Sequence, residues 1–212
     1  MNDTQIKILE AAEAEFAEFG FVGASIRNIT QRAGVNLASV NYHFGTKEQL
    51  IKHLLLFRIT PLNQLRLNNL HKEQERHQGE AVPIPILVNL LVRPALEKML
   101  TVEGGQFVRA MARCMSEPLG FIESLDRDVF HEIFTAYYLA FQKALPGLDE
   151  QAVAIQMNFV VCTMVGMMMH FPRMDNLRGK NLSKEKFDQI LDQFIDFISS
   201  GVEGSSQCLI HS

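Results

Sequence analysis

The chain has 212 residues, 47% of them hydrophobic and 21% charged, so it carries enough apolar material for a core and is not of a disordered type. Its three cysteines, Cys114, Cys162 and Cys208, are odd in number and widely spaced; they suggest neither a disulfide framework nor a zinc site and fit a reducing, intracellular compartment. The formal net charge of −4 argues at first sight against a nucleic-acid binder, but from Gly20 to Thr60 five basic residues (Arg27, Arg32, Lys47, Lys52, Arg58) stand against one acid, Glu48, leaving a local +4 on an otherwise acidic body.

Almost every segment reads as helix, and strand signals are lacking. The polar, acidic N-terminal stretch is unlike a secretory signal. A first helix is predicted from Thr4 to Phe19, with Ile6, Leu9, Ala12, Phe16 and Phe19 on one face and Gly20 as its stop. Ser25 is a plausible N-cap for a second helix, whose inner face is Ile26, Ile29 and Ala33, and Gly34 ends it. Asn36 can cap a third helix, Leu37 to Phe44. Thr46 and Gln49 have capping-box spacing for a fourth, which Pro61 should kink or interrupt. The polar run from His71 to Glu80 leads into a loop. Five further helices follow, built on "PIPILVNLLVRPALEKML", "GGQFVRAMARCMSEP", "DRDVFHEIFTAYYLAFQKAL", "DEQAVAIQMNFVVCTMVGMMMHF" and "SKEKFDQILDQFIDFISS". Leu182 and Phe187 flank the Ser183 cap of the ninth helix at hydrophobic-staple spacing. The apolar run Phe159–Met169 is eleven residues. A bilayer span needs about 20, so a buried helix is expected.

The third helix carries the chemistry. At 100° per residue, Leu37, Val40 and Phe44 cluster on one side, with Val35 in the preceding turn, while Ala38, Ser39, Tyr42 and His43 lie on the other. A short helix with apolar anchors, set after a tight Gly34-Val35 turn, has the layout of a helix-turn-helix, whose second helix enters the major groove. Small residues near its start, Ala38 and Ser39, let the backbone approach bases. Tyr42, His43, Lys47 and the N-terminus of the fourth helix can supply donors to phosphates. Asn41 sits at the rim of the apolar face: it can bind adenine, contact a phosphate or make a local hydrogen bond, and its late position favours the last two.

These residues, "ILEAAEAEFAEFGF" followed by "ASIRNITQRAGVNLASVNYHFGTKEQLI", resemble the DNA-binding domain of the TetR family of bacterial transcriptional regulators over roughly the first 55 residues. The wording "VNLASVNYHFGTK" is similar to a smaller, fatty-acid-responsive PsrA-like branch. The resemblance implies an all-α protein of about nine helices. It places a helix-turn-helix domain in residues 1–56, a ligand-binding and dimerising bundle in 57–202 and a flexible tail in 203–212. It also implies that Arg27, Asn36, Ser39, Tyr42, His43 and Lys47 meet a double-stranded operator, beside the Ala38 that close approach already puts at the bases, with Asn41 the departure from an aromatic common in the family.

The eighth helix has more apolar surface than one buried stripe uses; a homodimer through helices eight and nine, or a central core helix of a monomer, would account for it. Phe107, Met111, Phe134, Tyr137, Tyr138, Met157, Met164 and Met168 are either pocket lining or ordinary core. Arg93, Arg109 and Arg113 can anchor the acidic head of an effector such as a fatty acid or acyl-CoA, or pair within the chain with Glu97, Glu103 or Glu117, the latter favoured. No HExxH, GxSxG or Walker loop is present, and His71 and His77 lack nearby cysteine, so no catalytic residue, cofactor or metal site is expected. The expectation is a cytoplasmic, nucleoid-associated, ligand-responsive repressor. The alternative is a DNA-bound scaffold of the same fold that acts through a protein partner without an inducer.

Overall fold

The structure is a computed structural model and describes residues 1–115, 122–178 and 183–210. Among these there are nine α-helices and no strand: α1 (Asp3–Gly23), α2 (Ile26–Ala33), α3 (Leu37–Phe44), α4 (Lys47–Arg76), α5 (Ile84–Glu97), α6 (Val102–Met115), α7 (Ile122–Ala144), α8 (Glu150–Arg178) and α9 (Lys184–Ile210). By packing the chain falls into two compact units, residues 1–62 with 98–131, and residues 63–97 with 132–212.

The first unit is built on α1 to α3, the first half of α4, and α6. Asn2 starts α1 with a capping box shared with Gln5. At Gly20 the helix breaks: φ is 73° and ψ −177°, a backbone that a side chain would strain, and a further turn carries the chain to Gly23. The break turns the predicted face. Phe19 is exposed, and Phe21, beyond the glycine, takes its place in the core beside Ile8, Leu9, Ala12 and Phe16. Ile29, Val40, Phe44, Leu50 and Leu54 close this core from α2, α3 and α4, and Phe107 and Ala110 close it from α6.

Two starts follow the sequence reading and one does not. Asn36 caps α3 by accepting from the Ser39 amide. Thr46 and Gln49 exchange hydrogen bonds at the start of α4. Ser25 occupies the N-cap position of α2 but makes no side-chain cap. Its amide instead donates to Glu15 of α1. Pro61 does not interrupt α4, which runs through it to Arg76. The division between the two units, however, falls at the next residue, Leu62.

The second unit holds the rest of α4 with α5, α8, α9 and most of α7. Arg93 of α5 pairs with Asp192 of α9, accepts company from Glu97 at 3.9 Å and donates to Asn89. Lys143, at the end of α7, donates to the Gly79 carbonyl in the turn after α4. α9 remains helical to Ile210, past residue 203 where a tail is expected. Ser183 caps it through the Lys186 amide, and the Leu182 half of the predicted staple lies outside the described residues.

Candidate nucleic-acid interface

α3 is locked from beneath and presented above. Val40 and Phe44 are buried, and Val35 packs partly against the same core. Leu37 is not the third anchor that its angle on the helix suggests: it is 53% exposed, because Val35, in the turn before it, already fills that end of the contact. Gly34 makes the turn. Its φ of 67° is left-handed, its amide reaches the Gln31 and Thr30 carbonyls, and the Val35 amide returns to Thr30.

The outward side chains differ in what they already hold. Asn36 spends its carbonyl oxygen on the Ser39 amide and hydroxyl, at 2.8 and 3.0 Å, which leaves its amide hydrogens to face out. Ala38 is exposed and offers only a methyl group to an approaching surface. Asn41 is exposed, and among the described residues its side chain makes no hydrogen bond, so the local structural role open to it is not used there. Tyr42 is 86% exposed and meets His43 edge-on at 5.0 Å between ring centroids. His43 is half-buried, with Phe44 on its other side.

The cations separate sharply. Arg27 is exposed; its carbonyl accepts from the Thr30 hydroxyl at 2.7 Å, but among the described residues its guanidinium takes part in no ion pair or hydrogen bond. Arg32 lies 3.2 Å from Glu15 Oε2, in ion-pair range though not aligned as a hydrogen bond, and donates to Glu18 at 2.5 Å. Arg58 donates to the buried Glu13 at 2.6 Å. The local +4 counted from Gly20 to Thr60 is therefore offset by acids of α1, outside that window.

Lys47 is put to another use than a free phosphate ligand. Its ammonium donates to the carbonyls of Phe21 at 2.6 Å and Ala24 at 2.9 Å, with Val22 at 3.5 Å, and stands 4.6 Å from the Phe21 ring. It thus ties α4 to the chain leaving the Gly20 break. The start of α4 is likewise self-capped: the carboxylate of Glu48 is held below the usual range by its own backbone N–H and then by Thr46, and the Gln49 amide is taken by Thr46. Orphan amides that would attract a phosphate are largely satisfied here. Glu15 is a residue that periodicity did not single out. Fully buried, it receives the Ser25 amide, the Asn28 side chain at 2.9 Å and Arg32, and so sets α2 against α1.

Residues 8–54 match the model of the bacterial regulatory proteins of the tetR family, and residues 89–201 match the tetracyclin repressor-like C-terminal domain, more than half of the chain. The chain belongs to the TetR family. It is 46% identical over 66 residues, 31% of this chain and 33% of the relative, to the HTH-type transcriptional repressor Rv3405c of Mycobacterium tuberculosis. Curated relatives of this kind are covered over only 19–33% of their length. The fold is shared with NalD of Pseudomonas aeruginosa, the secondary repressor of the MexAB-OprM multidrug efflux pump (TM-score 0.62, 19% identity, 93% of this chain and 96% of NalD). It is shared also with the fatty acid degradation regulator FadR of Bacillus halodurans (TM-score 0.55, 14% identity, 97% of each chain). These TetR-family relatives are transcriptional regulators rather than enzymes.

The expected effector-pocket residues divide between the two units. Phe107 is buried in the core of the first, and Met111 packs partly against that core. Phe134, Tyr138 and Met164 belong to the second. There Phe134 is 43% exposed, Tyr138 donates to the Glu150 carbonyl at 3.4 Å, and Met164 is buried. Tyr137 and Met157 are buried in this unit as well. Arg109 is exposed, Arg93 is engaged in its ion pairs, and Arg113 and the acids Glu103 and Glu117 lie outside the described side chains.

Proposed function

We infer that the protein is a DNA-binding transcriptional repressor that grips a palindromic operator as a homodimer and is released by a small amphipathic effector. The observation that carries this is the state of α3: Val40 and Phe44 are locked in the core, while Ala38 and Tyr42 stand exposed on the opposite side and Leu37 and Asn41 stand exposed at the rim. In the groove, Ala38 and Ser39 permit close approach, the Leu37 side chain offers an apolar contact of the kind that suits a thymine methyl, and Asn36 and Asn41 offer amide donors. Arg27, Tyr42 and His43 take the phosphate flanks. Lys47 acts by holding the unit in shape rather than by touching DNA.

Dimerisation is argued from α8 and α9. Within Glu150–Phe171 the most apolar 18-residue window has a mean hydropathy of 1.8, yet only 28% of it is buried. Ile155, Phe159 and, on α9, Phe197 are exposed, and an open groove lined by Ile155, Phe159, Gly201 and Gly204 runs between the two helices. By length and composition the stretch could cross a bilayer. On a cytoplasmic regulator it serves better as the self-complementary face of a two-fold dimer. α4, shared by both units, is the path by which an effector would alter the reading heads. Selection of duplexes from a random pool tests the reading. It should enrich an inverted repeat with half-sites a helical turn or a multiple apart. Enrichment of no repeat, or binding spread over unrelated sequences, would remove it.

A further inference from the structure

Arg66 lies on the inner stripe of α4 with Asn63 and Leu70, all three buried, where an apolar side chain would ordinarily sit. It is 5% exposed, and among the described residues no carboxylate pairs with it. Its Nη1 donates to Asn63 Oδ1 at 3.2 Å, and among the described residues its Nη2 meets only the sulfur of Met164 at 3.5 Å and its Nε has no hydrogen-bond partner. Burial draws the guanidinium down to about 10, a sign of how poorly the cation is compensated. A buried charge of this kind destabilises the fold unless something neutralises it.

The pattern of vacancies is specific. Asn63 occupies the far nitrogen, and the edge formed by Nε and Nη2 is the one that presents two parallel N–H groups to the two oxygens of a carboxylate. The group covering that edge is a thioether, a weak acceptor on a flexible chain that can swing aside at little cost. Tyr137, fully buried, donates to the Arg66 carbonyl and fixes this turn of α4 from α7.

We propose that Arg66 is the anchor for the carboxylate of the effector, with Met164 as the side chain it displaces, so that the ligand is a free organic acid with an apolar body. This rests on the reading of the protein as an effector-responsive regulator and names the chemical class it senses. A thioester or an alcohol of the same length offers no charge to this edge and should bind poorly.

The test measures binding of straight-chain acids from butanoate to hexadecanoate, and of the matching primary alcohols, to the full chain and to Arg66→Met and Arg66→Gln, with operator binding followed in parallel. At least one acid should bind the unaltered protein and bind Arg66→Met at least ~30-fold more weakly. The alcohols should bind neither well, and ligand-free Arg66→Met should melt no lower than the parent. Binding of alcohols as tight as that of acids, undiminished binding of acids to Arg66→Met and Arg66→Gln, or no binding of any acid would each overturn the proposal. Release of DNA by an alcohol alone would leave the effector-responsive reading standing without Arg66. Acids bound at Arg66 without any change in DNA affinity would do the reverse.

Discussion

Arg27 and Lys47 are both cations of the first unit, but among the described residues the Arg27 guanidinium has no partner, whereas the Lys47 ammonium already holds three carbonyls. Their substitutions should therefore fail in different ways. Arg27→Ala should leave thermal stability unchanged and make the salt dependence of operator affinity shallower by about 0.9 in log–log slope, the signature of one lost phosphate contact. Lys47→Met should cost about 2 kcal/mol of stability by urea denaturation, since charge-assisted bonds to part-buried carbonyls are lost, and should leave the salt slope as it was. If instead Lys47→Met flattens the slope without destabilising, the carbonyl clamp is not its main role. Residue identities on α3 were legible because an eight-residue helix has one inner and one outer side. Partners were not: Arg58 meets Glu13 across 45 positions, and no local pattern pairs them. The same holds for Arg66, whose isolation is visible only once its neighbours are in place.

At the scale of elements, helix positions were the most readable feature, since a 3.6-residue period is a property of each segment alone. α2 and α3 occur at the residues that periodicity and capping predict. The exceptions come from packing between segments. Phe19 leaves the core because Gly20 redirects the chain, and Ser25 makes no side-chain cap while Glu15, from another helix, holds its amide. Glu15→Ala should accordingly lower stability by about 1–3 kcal/mol, the cost of leaving a part-buried donor unmet, although α2 itself loses none of its own residues. Chemical denaturation of the variant checks this; an unchanged midpoint would mean that Glu15 does not orient the helix. Gly34→Ala isolates the turn. Nothing lies within 4 Å of an added methyl group, so only the left-handed backbone is penalised, at about 1 kcal/mol. A much larger loss would point to a clash that the turn geometry does not contain.

For the whole molecule, the chain's acidic balance and odd cysteines place few constraints, and the family assignment came from spaced motifs rather than from totals. The exposed apolar side of α8 and α9 is the feature that a single copy leaves unexplained. Phe159→Glu combined with Phe197→Glu should convert a dimer to a monomer in sedimentation while helical content persists; a monomer already present in the unaltered protein would remove the dimer. The central claim is that the outer side of α3 reads DNA, and the most direct measurement is the affinity of the full chain for its selected duplex before and after Tyr42→Ala with Ser39→Ala. Tyr42 is 86% exposed, so folding should be unaffected. The account predicts at least about tenfold weaker binding at an unchanged melting temperature. Equal affinity in the folded double variant would contradict it.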